Sequence, residues 1–261
     1  YFLSKRKFFD KGIDYWLKKL SKVKELFGVD LKLKKDNELK PIFIVGVPRC
    51  GSTLLEKVIS SGPKTLPMGE EIGVINFILG KKILENKSLN VNQGNITEEI
   101  INFYKEKDLV KKENDYTFTD KTLDNFFYIG LIKAIFPQAK VINCKRNALS
   151  SIMSSLKNNL IFLAWTHNLK HIFKYYDIYY QMIKNFEKTL PNFIYDLQYE
   201  KFVSDPENEA KKLIKFCGLP WDIKCLEFYK RRDLISKTTS NLQIRKAIYK
   251  DSINKYLPYK Q

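Results

Sequence analysis

Hydrophobic positions follow two different periods along this chain. Over residues 1–28 they fall at helical spacing, at Phe9, Ile13, Trp16, Leu20, Val23 and Phe27, with lysine on the other face. That pattern predicts a basic amphipathic helix, packed on its own domain or an upstream helical one in preference to a membrane surface. The polar run VDLKLKKDNELK at 29–40 reads as a connector. Two units are expected from this: a helix and connector over 1–37, which an upstream helical region would leave as its remnant, and a main domain over 38–261. In the main domain, short apolar runs (PIFIVGV, YTFTDK, KVINCK, FIYDLQYE) alternate with longer amphipathic stretches. STLLEKVISS, GEEIGVINFILGKKIL, DNFFYIGLIKAIF and NALSSIMSSL read as helices, the third stopped by Pro137. A long aromatic helix is expected at roughly 163–189, its Tyr and Phe stripe forming core. DPENEAKKLIKFCGL carries Asp205 as cap, Pro206 at the first position and Gly218 at the end. Residues 84–96 are polar and read as loop, with sequons at Asn86 and Asn95. Alternating strands and helices with continuously apolar strands predict an α/β fold, its parallel sheet covered on both faces.

Composition narrows the chemistry. The 261 residues carry a net charge of +17, which favours anionic partners, although lysine-rich codon usage explains it equally well. Of the 46 basic residues only six are arginine: Arg6, Arg49, Arg146, Arg231, Arg232 and Arg245. In a chain whose default cation is lysine, each arginine marks a place where a planar fork of donors is wanted. Four cysteines, Cys50, Cys144, Cys217 and Cys225, form no C-x-x-C pair, and two histidines, His167 and His171, have no ligand partners in sequence. No metal site is expected. The longest apolar runs, such as LIFLAW, fall far short of the roughly 20 residues of a membrane span. The chain begins at Tyr1, so it is expected to be a fragment or a processed form, cytoplasmic if its source is bacterial.

Three arginines sit in anion-binding contexts. IFIVGVPRCGSTLLEKVIS is a strand, a glycine-bracketed loop and a helix start, the layout of a phosphate-binding P-loop with Gly46 and Gly51 at the right spacing. Ser52 stands where the lysine belongs, followed by Thr53. Loop N–H groups, two hydroxyls and the Arg49 fork can still cradle an anion. The missing lysine argues against ATP or GTP chemistry, as does the lack of a clear acidic strand end for Mg²⁺, Asp120 being the nearest candidate. In VINCKRNALSSIMSS, Arg146 ends a strand and Ser150, Ser151, Ser154 and Ser155 run along the next helix, Ser150 and Ser154 on one face. QIRKAIY places Arg245 beside Lys246 in the tail. Three anion sites suggest a nucleotide with phosphates at both ends.

On these motifs the chain resembles the sulfotransferases that use 3′-phosphoadenosine 5′-phosphosulfate (PAPS), over about residues 38–259. VPRCGSTLL is similar to their 5′-phosphosulfate loop, and VINCKRNALSSIMSS to their 3′-phosphate motif. TDKTLDNFFYIGLIKAIFPQAK, LQYEKFVSDPENEAKKLIKFCGLPWD and TSNLQIRKAIYKDSINKY match in order and spacing. The nearest branches are bacterial sulfotransferases with upstream tetratricopeptide repeats and protein-tyrosine sulfotransferases.

The resemblance implies a P-loop-type three-layer fold with about four or five parallel strands flanked by helices. It implies that Arg49, Cys50, Gly51, Ser52, Thr53 and Leu54 bind the 5′-phosphosulfate, and that Arg146 and Ser154 bind the 3′-phosphate. Tyr199 would contact the nucleotide. Ser240, Gln243 and Lys246, with Arg245 beside them, would close over it. Lys121 would stabilise the bridging oxygen. The base would be a glutamate of MGEE, Glu71 preferred on the tyrosine-sulfotransferase pattern and Glu70 on the repeat-bearing one. The alternative for both acids is stabilisation of a helix start by its dipole, without catalysis. Asn147, Ala148 and Ser150 depart from the branch pattern, which often has Asp-Pro and Asp there.

The reading is therefore a sulfotransferase that moves a sulfuryl group from PAPS to a hydroxyl acceptor, releasing PAP without metal. The acceptor would be a tyrosyl or acidic peptide, a glycan or a small molecule. No nucleic acid is expected, and a homodimer is allowed. Two alternatives are a P-loop kinase or other phosphotransferase, and a non-catalytic basic module that binds anions.

Overall fold

The computed structural model describes residues 38–80, 93–110, 116–158, 160, 163–231, 233, 245–249, 253 and 257. The amphipathic helix expected at 1–28, the connector up to residue 37, and Ser240 and Gln243 lie outside the described residues.

Five parallel strands form one sheet in the order β2-β3-β1-β4-β5: β1 (Ile42–Gly46), β2 (Met68–Glu70), β3 (Thr119–Lys121), β4 (Lys140–Lys145) and β5 (Ile194–Gln198). All of β1 is buried, as a central strand covered on both faces must be. The helices are α1 (Ser52–Ser60), α2 (Gln93–Glu106), α3 (Ile129–Ile135), α4 (Ala148–Lys157), α5 (Leu169–Thr189), α6 (Tyr199–Ser204) and α7 (Pro206–Phe216). Alternation along β3 separates the layers. Thr119 faces α1, where its hydroxyl donates to Glu56 at 2.8 Å, whereas Asp120 faces α2 and accepts from the Tyr104 hydroxyl at 2.6 Å. The core on the α2 side is aromatic, with Tyr104 packed on Phe118 and Phe136, and Phe136 on Phe43. The α/β fold expected from the alternating pattern is thus present, with five strands.

The local expectations fare unevenly. The α7 segment begins at Pro206 with Asp205 in the cap position, and Gly218 ends it at φ 69°. Tyr175, Tyr176, Tyr179 and Phe186 of α5 are buried, so its aromatic stripe is core. The helix expected from Gly69 onward is a correction: Met68–Glu70 is an edge strand, and helix begins only at Val74. Gly69 lies so close to β3 that an added Cβ would stand 2.6 Å from the Thr119 carbonyl oxygen. Residues 93–96, read as loop, open α2, which buries Ile96, Ile100 and Tyr104 at helical spacing. All four cysteines are buried free thiols.

Candidate active site

In a parallel sheet every strand ends at the same edge. Here those ends are Gly46, Glu70, Lys121, Lys145 and Gln198. The chain reverses its direction of travel across the sheet around β1, which has β3 on one side and β4 on the other. The crevice outside the carboxyl end of that strand is where open α/β sheets bind ligands. The segment filling it is residues 47–51, and of the sequence-derived candidates Arg146, Ser154 and Tyr199 meet it directly.

The loop is shaped by left-handed backbone. Arg49 has φ 69° and Gly51 φ 103°, and the Cys50 N–H donates to the Val47 carbonyl at 3.2 Å. Gly51 is the N-cap of α1 and has no side chain to cap it, so the first-turn N–H groups of Ser52 and Thr53 face the crevice end of the helix. No side chain fits at Gly51: a Cβ there would stand 2.4 Å from Cδ2 of the Tyr199 ring. Tyr199 is therefore the floor of the loop. The Arg146 guanidinium lies over the same ring, 4.7 Å from its centroid.

Arg49 and Arg146 belong to one construction. Arg146 Nη1 donates to the Arg49 carbonyl at 2.9 Å, and Arg49 Nε donates to Ser154 Oγ at 3.0 Å. Ser154 is on α4, 105 residues away. Burial, together with the neighbouring Arg146 cation, pushes the Arg49 guanidinium below its ordinary pKa. Two cations that act on each other in this way favour an anion beside them. Asn147 shows why its departure from the branch pattern is tolerated. It caps α4, its Oδ1 accepting from the Ser150 N–H at 3.0 Å, and its own N–H donates to Glu200 at 2.9 Å. Leu54 packs partly buried on the core, its N–H donating to the Gly51 carbonyl. Cys50 is wholly buried beside Cys144, whose thiol donates to the Cys50 carbonyl at 3.2 Å, so it holds the loop in place.

A second group gathers at the ends of β2 and β3. Lys121 is completely buried, and its ammonium donates to Glu71 at 2.6 Å and stands 3.7 Å from Glu70. Glu70 pairs in register with Lys121 across the two strands. Their exposure differs: the Glu70 side chain is 7% accessible and that of Glu71 46%. Glu71 adopts φ 53°, a left-handed conformation uncommon for a residue with a Cβ, and its N–H donates to the Lys121 carbonyl at 3.0 Å. Burial by itself lowers the Lys121 pKa, but Glu71, Glu56 and Glu70 outweigh it and raise the net value.

Sequence reading missed Glu56 and Lys57. Both lie inside α1 and both are buried. Burial pushes the Glu56 carboxyl up to about 7 against the pull of Lys121, and Lys57 Nζ approaches the Met68 sulfur at 3.5 Å. The one available signal was a charged pair inside a nearly continuous apolar run, STLLEKVIS. Asp120, considered for a metal, is turned away from this group into the α2 layer, where burial raises its carboxyl to about 6. Among the described residues no group of three His, Cys, Asp or Glu could hold a metal ion, and no helix is long and apolar enough to cross a membrane. Arg245 and Lys246 are exposed; Tyr249, three residues on, is close enough to Arg49 to act on its charge.

Comparison with known proteins is consistent with this geometry. An "Uncharacterized protein" of Aquifex aeolicus (strain VF5) is 29% identical over 99% of this chain and 39% of its own length. Protein-tyrosine sulfotransferase 1 of Danio rerio is 24% identical over 72% of this chain and 55% of its own. The chain thus spans between about two-fifths and just over half the length of these relatives. A mouse sulfotransferase solved in complex with PAP superposes with a TM-score of 0.53 at 16% identity, over 86% of this chain and 81% of that one. The model of the sulfotransferase family matches residues 41–223, from the strand that feeds the anion loop to the segment beyond α7. With well over half its length inside that match, the chain belongs to the sulfotransferase family.

Proposed function

We propose that the chain catalyses sulfuryl transfer from PAPS to a hydroxyl acceptor. The observation that carries this is the joining of the two arginine motifs: Arg49 bonded to Ser154, and Arg146 to the Arg49 backbone, at the mouth of an uncapped helix. Such a site suits a ligand with anionic groups close to both ends, and the mouse protein of like fold holds PAP. The residues fit the donor. The N–H groups of the loop, Ser52, Thr53 and Arg49 face the place of the 5′-phosphosulfate. Arg146 and Ser154 take the 3′-phosphate, and Tyr199 offers a ring edge beside them. Arg245 and Lys246, both exposed, are the described tail residues proposed to contact the nucleotide.

In the reaction the acceptor oxygen forms a bond to sulfur while the bond from sulfur to the bridging oxygen breaks. The electron pair stays on the 5′-phosphate oxygen. Glu71 takes the acceptor proton. It is assigned this role over Glu70 because its side chain is 46% accessible and can meet an acceptor, whereas that of Glu70 is 7% accessible. Lys121, now bonded to Glu71, redirects an N–H to the bridging oxygen as charge builds there, and keeps its proton. The tyrosine sulfotransferase of Danio rerio among the relatives makes a tyrosyl peptide the first acceptor to try.

The test is incubation with labelled PAPS and a panel of tyrosyl peptides, glycans, phenols and alcohols, with calorimetry of PAP and AMP alongside. Labelled product and a PAP affinity far above that of AMP, lost in Arg146→Ala, are expected. Equal PAP and AMP affinities refute the 3′-phosphate assignment. Turnover of ATP with Mg²⁺ in place of PAPS would establish a phosphotransferase instead.

A further inference from the structure

Behind the Lys121–Glu71 pair lies a third carboxylate that the proposed transfer does not yet use. Glu56 is completely buried in α1, one turn inside the anion loop. Its Oε1 accepts from the Thr119 hydroxyl at 2.8 Å, and its Oε2 has no hydrogen-bond partner among the described residues. Thr119 and Lys121 are two residues apart on β3 and point to the same face, so Glu56 and the Lys121 ammonium share that layer. The charges facing Glu56 are Lys121 from β3, Glu70 from β2 and Lys57 on its own helix, and Lys121 acts on it most strongly.

A buried acid with one oxygen unbonded costs stability, since desolvation penalises the charge and no donor offsets it. A simple tie between helix and strand does not require a carboxylate; a glutamine would accept the same bond from Thr119. The charge itself needs a reason, and Lys121 supplies one. At rest the ammonium is balanced chiefly by Glu71. On the reading above, Glu71 becomes neutral when it takes the acceptor proton, at the moment Lys121 must be fully charged to meet the leaving oxygen. Glu70 and Glu56 are then the counter-ions left to it.

We propose that Glu56 is a positioning residue for sulfuryl transfer: it anchors β3 through Thr119 and, in its ionised form, serves with Glu70 as a buried counter-ion that helps keep Lys121 an ammonium during turnover. The inference rests on the sulfuryl-transfer reading, but part of its test does not.

Glu56→Gln keeps the shape and the bond from Thr119 and removes only the charge. It should fold with an unchanged or higher melting temperature. Its kcat should fall by about tenfold or more with the KM for PAPS unchanged. The alkaline limb of its kcat–pH profile should move to lower pH. Thr119→Val is the complement. It cuts the tie and keeps the charge, so it should lose stability while the alkaline limb stays in place. Independently of turnover, the Lys121 side-chain NMR signal should titrate at lower pH in Glu56→Gln, with PAP bound and with assignment by Lys121→Arg. If both variants lose activity in step with stability and neither moves the alkaline limb, Glu56 is only a structural tie and the proposal is overturned. If no acceptor is ever sulfated, the transfer reading fails, and an unmoved Lys121 titration would then overturn the counter-ion role as well.

Discussion

Arg49 shows how one residue is made to serve one geometry. Its left-handed backbone turns its carbonyl toward Arg146 while its side chain reaches Ser154 on another helix. A non-glycine residue held at φ 69° costs roughly 1 kcal/mol or more, which the two long-range hydrogen bonds offset. Lysine could not do this, since it lacks a side-chain Nε–H donor with two further donors beyond it. Lys121 is the opposite case. It is a compact charge in a dry place, and on the proposed transfer its value lies in having no water to compete with. On the proposed mechanism, replacing either by alanine removes a donor for charge that develops in the transition state. Arg49→Ala and Lys121→Ala should each lower kcat on the order of 10²-fold or more. Arg49→Ala should melt close to wild type. Lys121→Ala should melt lower as well, because Glu56 and Glu70 lose their cation. Near-normal turnover in both variants would sink the mechanism.

At the scale of elements, legibility followed length and chemistry. The β1 run and the Gly46–Thr53 loop could be read because a continuous apolar strand, two glycines and an arginine each point the same way. The start and stop of α7 were legible from Pro206 and Gly218 for the same reason, whereas Asp205 holds the cap position without capping: its carboxylate accepts from the Asn208 side chain instead. Strand β2 was not, because three residues are too few to show a period, and its key residue, Gly69, says turn as readily as close packing. Glu56 and Lys57 were hidden for a different reason. A helix of that pattern is ordinarily assigned an outward charged face, but α1 is enclosed between the sheet and both α7 and the 3₁₀ helix Ile223–Lys230, so every position except Leu54 is buried. Burial by a neighbour distant in sequence leaves no local mark. The alternation of β3 was equally invisible, and it has a measurable consequence. Asp120 faces the aromatic layer with its carboxyl raised, by burial first, to about 6. An acid whose folded pKa lies above its unfolded one binds more protons when folded, so stability falls as pH rises between those two values and then levels off. The Asp120 contribution is therefore lost between about pH 4 and pH 6, on the order of 3 kcal/mol. Asp120→Asn, which can still accept from Tyr104, should flatten that decline in denaturant-measured stability. An unchanged slope would show that the carboxyl is not protonated in the folded chain.

The molecule brings the candidates Arg49, Glu70, Glu71, Lys121, Arg146 and Tyr199 to one edge of one sheet, and this follows from parallelism. Five parallel strands end together, so segments about 150 residues apart in the chain meet without any long-range instruction beyond strand order. On that edge sits a basic protein of net charge +17 with forty lysines. Two origins of that charge make different demands. If it is only residue usage, it is spread evenly and acts alike on every acceptor. If it serves acceptor capture, its field is felt by a charged acceptor and not by a neutral one, and salt must remove the difference. The comparison is made at saturating PAPS, so that donor binding drops out of kcat/KM for the acceptor. For a tyrosyl peptide flanked by acidic residues, kcat/KM should fall by roughly tenfold or more between about 50 and 500 mM salt, while that for a small neutral phenol should change little. Removing the acidic flanks from the peptide should abolish its salt dependence. Equal salt slopes for the acidic peptide and the phenol would mean that the charge plays no part in choosing the acceptor, and acceptor choice would then rest on the contacts made beside Glu71.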